Sequence, residues 1–364
     1  MAAAEDGSWD QTGEMFEDPE EKKVVCCALD SYLQYAKVAH FNVTHLRRQS
    51  FYALPQAQWQ MLAAPPFNFL DTLDRTDEAI DANAQLARAI AHHGIKSFGL
   101  ANPDPAASAS PDEPALAREW VGIAKHSDID KARSTLRQFF RDWTAAGAAE
   151  RQASYSPVFA AVESQRARLA TTSSSSSGND SGANLSVLVP GAGLGRLVFE
   201  LCRAGCDVEG NEISYHQLLA SDFILNHTKT AGQFTIFPWV HTFSNHRTRE
   251  NHLRSYAVPD LHPGTALASV SSLSSPPSQP GTMSMCAADF LCLYGDEARR
   301  ATYDVVATLA DDEVMALVER VGFVVEARET DRPAPYIQDD ESMMQTLYRA
   351  STWVARKPLA GDGI

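Results

Sequence analysis

Three glycines within five residues mark the stretch of this chain best suited to chemistry: Pro190-Gly191-Ala192-Gly193-Leu194-Gly195-Arg196. It follows the apolar run LSVLVP (185–190) and opens the amphipathic segment LGRLVFELCRAG (194–205). A glycine turn between a strand and a helix lets a ligand approach the main chain, and the helix N-terminus favours negative groups. Glu212 lies 21 residues after Gly191, at the end of the next strand-like run, CDVEGNE (206–212). A carboxylate at that place can accept hydrogen bonds from both hydroxyls of a ribose. Two cofactors suit the layout, a dinucleotide or S-adenosylmethionine. The G-x-G-x-G spacing fits the second better, because Arg196 stands where a dinucleotide fingerprint has Gly or Ala. Pro190 holds the place of the acidic residue that usually precedes the methyltransferase pattern. A tight turn with no ligand is the third reading.

Asp289-Phe290 falls at the end of a third apolar run, SMCAADF (284–290). A carboxylate there can accept from the amino group of adenine while the ring packs on the base. The plainer alternative is an aspartate capping the next turn, with the phenylalanine in the core.

These residues need a scaffold of alternating short strands and helices. Beyond residue 184 the pattern supplies one: strands at 185–190 and 206–212, helices at 194–205 and 214–227, then strands at 284–290, 302–308, 324–329 and 348–358, with a helix at 311–323. This reads as an α/β fold with a doubly wound sheet. Upstream, residues 23–55 carry apolar and aromatic residues at helical spacing, 76–95 read as a helix stopped by Gly94, and 128–170 as two helices, broken near Gly147 and Pro157. The expected organisation is an acidic, disordered tail (1–22), an N-terminal helical region (23–170), a Ser-rich insertion (171–183) and a cofactor-binding domain (184–360).

Bulk properties exclude several classes. The net charge of -15 would repel a nucleic-acid backbone, since the basic residues are scattered. No apolar run reaches the ~18 residues of a membrane span. Six cysteines without a C-x-x-C pair argue against structural zinc or a disulfide framework, and no metal is expected. The acidic N-terminus has no signal-peptide pattern, so a cytoplasmic location is expected, with the nucleus left open.

The stretch VLVPGAGLGRLVFELCRAGCDVEGNEISYHQLLASDFILNH (187–227) closely resembles the carnosine N-methyltransferase family. So do STLRQFFRDWTAAGAAERQASYSPVF (134–159) and DESMMQTLYRASTWVARKP (340–358). The run GNE-S-x-x-x-L-x-x-S-x-F-x-L-N is specific to that family. The resemblance implies a Rossmann-like class I methyltransferase sheet with an N-terminal helical cap, S-adenosylmethionine as methyl donor, and methylation of an imidazole nitrogen of carnosine or a related His-containing dipeptide. It implies cofactor contacts from Gln138, Arg141, Gly191, Glu212, Asp289, Phe290 and Leu309, the last standing where the family usually has Cys. It also implies a peptide pocket lined by Tyr336 and Tyr348. A small peptide substrate is the expected partner, and a homodimer is left open.

One part of the expected domain is missing from the pattern. A seven-strand methyltransferase sheet needs a helix, a fifth strand and a further helix after strand four, yet only a few residues separate Thr308 from the helix expected at Asp311. In the family this region brings an acidic residue and a His to the pocket. The last histidine here is His262, and Asp311 and Asp312 more simply start a helix. An impaired or catalytically dead cofactor-binding protein is therefore the alternative to an active enzyme.

Overall fold

The computed structural model describes residues 18–110, 112–173, 184–273, 279–294, 305–306, 324–339 and 341–356. In chain order the helices are α1 (Pro19–Ala39), α2 (Leu46–Tyr52), α3 (Gln56–Ala63), α4 (Phe69–Ser97), α5 (His126–Trp143) and α6 (Ala148–Ser173). There follow β1 (Leu185–Pro190), α7 (Arg196–Arg203), β2 (Cys206–Glu212), α8 (Tyr215–Asp222), β3 (Phe234–Ile236), α9 (Arg249–His252), β4 (Tyr256–Val258), α10 (Pro263–Leu273), β5 (Met283–Ala287), α11 (Phe290–Tyr294), β6 (Val305–Val306), β7 (Val324–Pro335) and β8 (Leu347–Arg356). π-helical turns continue α1 over His40–His45 and α8 over Phe223–His227.

Described residues within Met1–Ala146, Ser214–Thr265 and Asp339–Met344 form one compact unit. Those within Gly147–Ile213, Ala266–Gln338 and Gln345–Ile364 form the second. The fold is thus mixed α/β, with a helical N-terminus and a parallel sheet.

In the first unit α1 packs on α4 and α5 through apolar side chains at helical spacing. Leu29, Tyr32, Leu73, Ile80, Leu86, Ile90, Phe139 and Trp143 are buried there. Helix α1 starts at Pro19, earlier than the expected end of the acidic tail. Asp18 caps it by accepting from the Glu20 amide at 2.8 Å, and proline suits the first helical position. Residues 1–17 lie outside the described residues. Gly94 does not stop α4, which runs on to Ser97. A Cβ at Gly94 would lie 2.6 Å from Leu29 Cδ2 and 2.9 Å from Leu219 Cδ2, so the glycine lets α4 approach α1 and α8.

In the second unit the parallel sheet has the order β5-β2-β1-β6. The chain runs outward from β1 through β2 to β5, then returns to place β6 on the other side of β1. The point beside the C-terminal end of β1 is therefore where the order reverses, the usual place for a ligand in an open α/β sheet. Val187, Val189, Val198, Leu201 and Val208 form the core between sheet and helices, with Val162 of α6 buried among them.

That packing explains why Pro157 does not break α6, which runs from Ala148 to Ser173 through it. Just after the proline, Val158, Phe159 and Val162 all pack on the same core, and this outweighs the roughly 3 kcal/mol a helix-interior proline costs. The break near Gly147 stands, between α5 and α6.

Strand β5 ends at Ala287, before Asp289 and Phe290. Strand β7 is longer than the expected 324–329, because it pairs antiparallel with β8 as far as Pro335, with register shifts at 325–327 and 329–332. The expected helix at 311–323, the Ser-rich stretch from 174, and the ends of the fourth strand lie outside the described residues.

Candidate functional site

All three glycines of the loop have positive φ: Gly191 at 65°, Gly193 at 58° and Gly195 at 71°. Side-chain residues rarely adopt that backbone, so the sequence requirement is conformational. Gly195 caps α7 in the left-handed region. A Cβ at Gly191 would meet no atom within 4 Å, so space lies open before the loop. The Ala192 amide donates to the Asn211 carbonyl at 3.0 Å, tying the loop to the end of β2. Beneath it, a Cβ at Gly210 would lie 2.5 Å from Met285 Sδ, 2.7 Å from Val198 Cγ2 and 3.0 Å from Ala192 Cβ. Gly210 is therefore the space into which the loop settles.

Glu212 follows directly. Its Oε2 accepts from the Gly193 amide at 2.9 Å and its Oε1 from the Ile213 amide at 3.0 Å. Two main-chain donors thus fix the carboxylate against the loop, and a carboxylate oxygen can accept more than one hydrogen bond. Arg196 does not disturb the helix packing. Its side chain is 4% exposed and lies along α7, where Nε donates to Glu200 Oε1 at 2.9 Å.

Asp289 lies two residues beyond β5 and caps α11: its Oδ1 accepts from the Cys292 amide at 3.1 Å. The capping reading of this residue is therefore correct as far as Oδ1 goes. Asn211, which sequence reasoning passed over, holds the approach to it. This side chain is buried, and its Nδ2 donates to the Ala288 carbonyl at 2.9 Å, joining the end of β2 to the turn before Asp289. Its place beside Glu212 in the GNE run was the available signal.

Tyr336 and Tyr348 come together. Their ring centroids are 5.5 Å apart at 78°, an edge-to-face pair, and the two residues are 36% and 54% exposed. Tyr348 faces Ala334 across the hairpin. After Tyr336 the chain turns through Ile337 at φ 45°, an unusual conformation for a β-branched residue. Glu150 of α6 holds it there. This buried carboxylate accepts from the Ile337 amide at 2.6 Å and from the Gln338 amide at 3.3 Å. Glu150 could not have been found from spacing, because its partners are nearly two hundred positions away.

Gln138 and Arg141 sit in the first unit, near the end of α5. Asp142, 2% exposed, accepts from Arg141 Nε at 2.7 Å and from Gln138 Nε2 at 3.2 Å. Gln138 Oε1 accepts in turn from Gln217 Nε2 at 2.7 Å. The Arg141-Asp142 pair is thus part of a largely buried network, in contrast to an exposed helix pair. Leu309, Asp311 and Asp312 lie outside the described residues.

Burial sets the electrostatics of three histidines in the first unit. It pushes His216 and His252 down to about 4 and His241 down to about 3. The same effect pushes the thiol of Cys202, in the second unit, up to about 11, which makes it a poor nucleophile. The six cysteines are all unpaired by disulfides.

The family model for carnosine N-methyltransferase matches residues 118–309 and 307–359. The carnosine N-methyltransferase of Schizosaccharomyces pombe is 35% identical over 292 residues, covering 80% of this chain and 69% of that protein. That of Rattus norvegicus is 27% identical over 377 aligned positions, covering 91% of this chain and 85% of its own length. A third, from Drosophila melanogaster, is 30% identical over 275 residues, which span 63% of this chain and 56% of that protein. With the glycine loop, the tethered Glu212 and matches of this extent, the chain belongs to the carnosine N-methyltransferase family.

Proposed function

We propose that the chain transfers the methyl group of S-adenosylmethionine to an imidazole nitrogen of carnosine or a related His-containing dipeptide. The observation that carries this reading is the Glu212 carboxylate, held by the Gly193 amide at the C-terminal edge of a parallel sheet, in a member of that family. The residues present fit the cofactor. Positive-φ glycines leave open space before Gly191, and a fixed carboxylate waits for the ribose hydroxyls. Asp289 and Phe290 are assigned to the adenine, and Gln138, Arg141 and Leu309 to cofactor contacts, on the resemblance. A guanidinium such as that of Arg141 suits the methionine carboxylate.

When bound, S-adenosylmethionine supplies an electrophilic sulfonium methyl. The chain's own residues have to hold the nucleophile in line with it and exclude water. The edge-to-face pair Tyr336 and Tyr348 offers aromatic surface for an imidazole and hydroxyls for the polar ends of a dipeptide. Imidazole titrates near ~6.5, so at pH 7 its neutral, nucleophilic form is already abundant. The relatives favour an active enzyme over a dead cofactor-binding protein.

We also infer a Rossmann-like class I sheet in the 184–360 domain that lacks one helix–strand unit after the fourth strand. The family match supports this, since its two segments meet at 307–309, where the unit is expected. The rat relative aligns over 377 positions, more than the 364 residues of this chain, so it has residues without counterpart here. Among the described residues β6 is the last strand on its side of the parallel sheet.

Calorimetric titration of the purified chain with S-adenosylhomocysteine, then with carnosine, tests the function. Binding of both ligands is expected. Cofactor binding without carnosine binding would refute the substrate assignment, and binding of neither would refute the site.

A further inference from the structure

In the first unit three metal-ligating side chains meet, none of them assigned to cofactor or peptide. His93 lies near the end of α4, Asp222 ends α8, and His227 closes the π-helical turn that follows. His93 Nε2 lies 2.8 Å from Asp222 Oδ2, and His227 Nε2 lies 3.8 Å from Asp222 Oδ1. The two imidazole rings stand 3.6 Å apart, centroid to centroid, at 31°. One ligand atom from each of the three residues lies within 4.8 Å of the others. All three are sheltered: their side chains are 19%, 12% and 33% exposed.

The backbone is bent to make this meeting. Asp222 and His227 are five residues apart. In an α-helix of 3.6 residues per turn that spacing sends two side chains to well-separated directions. The i→i+5 hydrogen bonding of a π turn brings them back toward one face, and such turns are frequent at functional sites. The turn Phe223–His227 continues the run that begins with Gly210-Asn211-Glu212, a stretch that the cofactor and peptide assignments use only at Glu212.

We propose that His93, Asp222 and His227 bind a divalent transition-metal ion, zinc by preference, which clips α4 to the turn after α8. Two imidazoles and one carboxylate are a standard three-ligand set for zinc, with water completing the tetrahedron. The ion takes the place now bridged by the His93–Asp222 hydrogen bond. Asn226 Nδ2 donates to Asp222 Oδ1 at 2.8 Å and orients that ligand from outside the metal shell. Cysteine spacing gives no hint of the site, because it uses no cysteine and its ligands lie 129 residues apart.

The test uses the full chain stripped with a chelator and then titrated with zinc chloride by calorimetry. A parallel titration with cobalt(II) follows the visible bands of a tetrahedral ion. One ion per chain is expected, with a higher melting temperature. Altered outer-sphere groups already weaken metal sites by about 10–100-fold, so His93→Ala and His227→Ala should weaken binding by at least ~100-fold. The exposed His45→Ala should leave it unchanged. His227 is the most exposed ligand, so its variant should remain folded, as circular dichroism can check. Absence of binding to the unaltered chain, or equal binding by the unaltered chain and the folded His227 variant, would overturn the proposal. Neither readout depends on methyl transfer.

Discussion

Glu212 is fastened to the very loop it serves: its Oε2 accepts from the Gly193 amide at 2.9 Å, so the carboxylate and the glycine turn are one rigid element. An acceptor fixed in this way loses little freedom when a diol arrives. Glu212→Ala should weaken binding of S-adenosylhomocysteine by about 2–3 kcal/mol, roughly 30–150-fold, the worth of hydrogen bonds to a charged group. Calorimetry reads this directly. An unchanged Kd would show that Glu212 does not hold the cofactor.

Gly210 links stability to the same site. Its missing side chain leaves room for Met285, Val198 and Ala192, the last being part of the glycine loop. Gly210→Ala should cost about 1–3 kcal/mol of stability, the usual price of overpacking, and also weaken cofactor binding. Urea unfolding and calorimetry on one preparation check both. Lost affinity at full stability, or the reverse, would separate the two roles assigned to this packing.

The loop was legible in the sequence because its cause is local. Three glycines at a strand-to-helix junction meet a conformational demand that needs no knowledge of distant residues, and Glu212 follows at the end of the next strand. Pro157 and Gly94 were misread for the opposite reason. Local rules treat both as helix breakers, but the core around Val162 holds α6 together, and the approach of Leu29 and Leu219 requires a glycine inside α4. Glu150 and Asn211 act on main-chain groups far away in sequence. The π turn that aligns Asp222 with His227 does not show in a pattern read at 3.6 residues per turn.

The tyrosine pair predicts a substrate effect without a cofactor effect. Tyr348→Ala removes an edge-to-face partner worth about 0.5–1.5 kcal/mol and should raise the KM for carnosine roughly 2–13-fold, while S-adenosylhomocysteine binds as before. Glu150→Gln, which loosens the turn beside Tyr336, should move the same KM and also lower stability. Steady-state kinetics with each substrate varied in turn distinguishes these outcomes. A change confined to the cofactor's KM would contradict the pocket.

Buried histidines set the acid response. His216, His241 and His252 titrate at about 4, 3 and 4 in the fold against 6.5 when exposed, chiefly because burial disfavours the charged ring. The unfolded chain therefore binds more protons below 6.5, and stability falls as pH drops through 6.5 toward 4. By pH 5 the loss should be on the order of 2 kcal/mol for each such histidine. Urea midpoints at pH 7, 6 and 5 measure it, and His216→Asn should flatten the slope by up to one proton. Equal midpoints at pH 7 and 5 would contradict the burial of these rings as neutral groups.

Methyl transfer to the imidazole of a dipeptide is read from the product itself. The most direct measurement incubates the purified chain with methyl-labelled S-adenosylmethionine and carnosine and follows the label by mass spectrometry and NMR. Label is expected on a ring nitrogen of carnosine, at a rate that falls with Glu212→Ala and with Tyr348→Ala. Absence of labelled dipeptide from a folded chain that binds S-adenosylhomocysteine would contradict it.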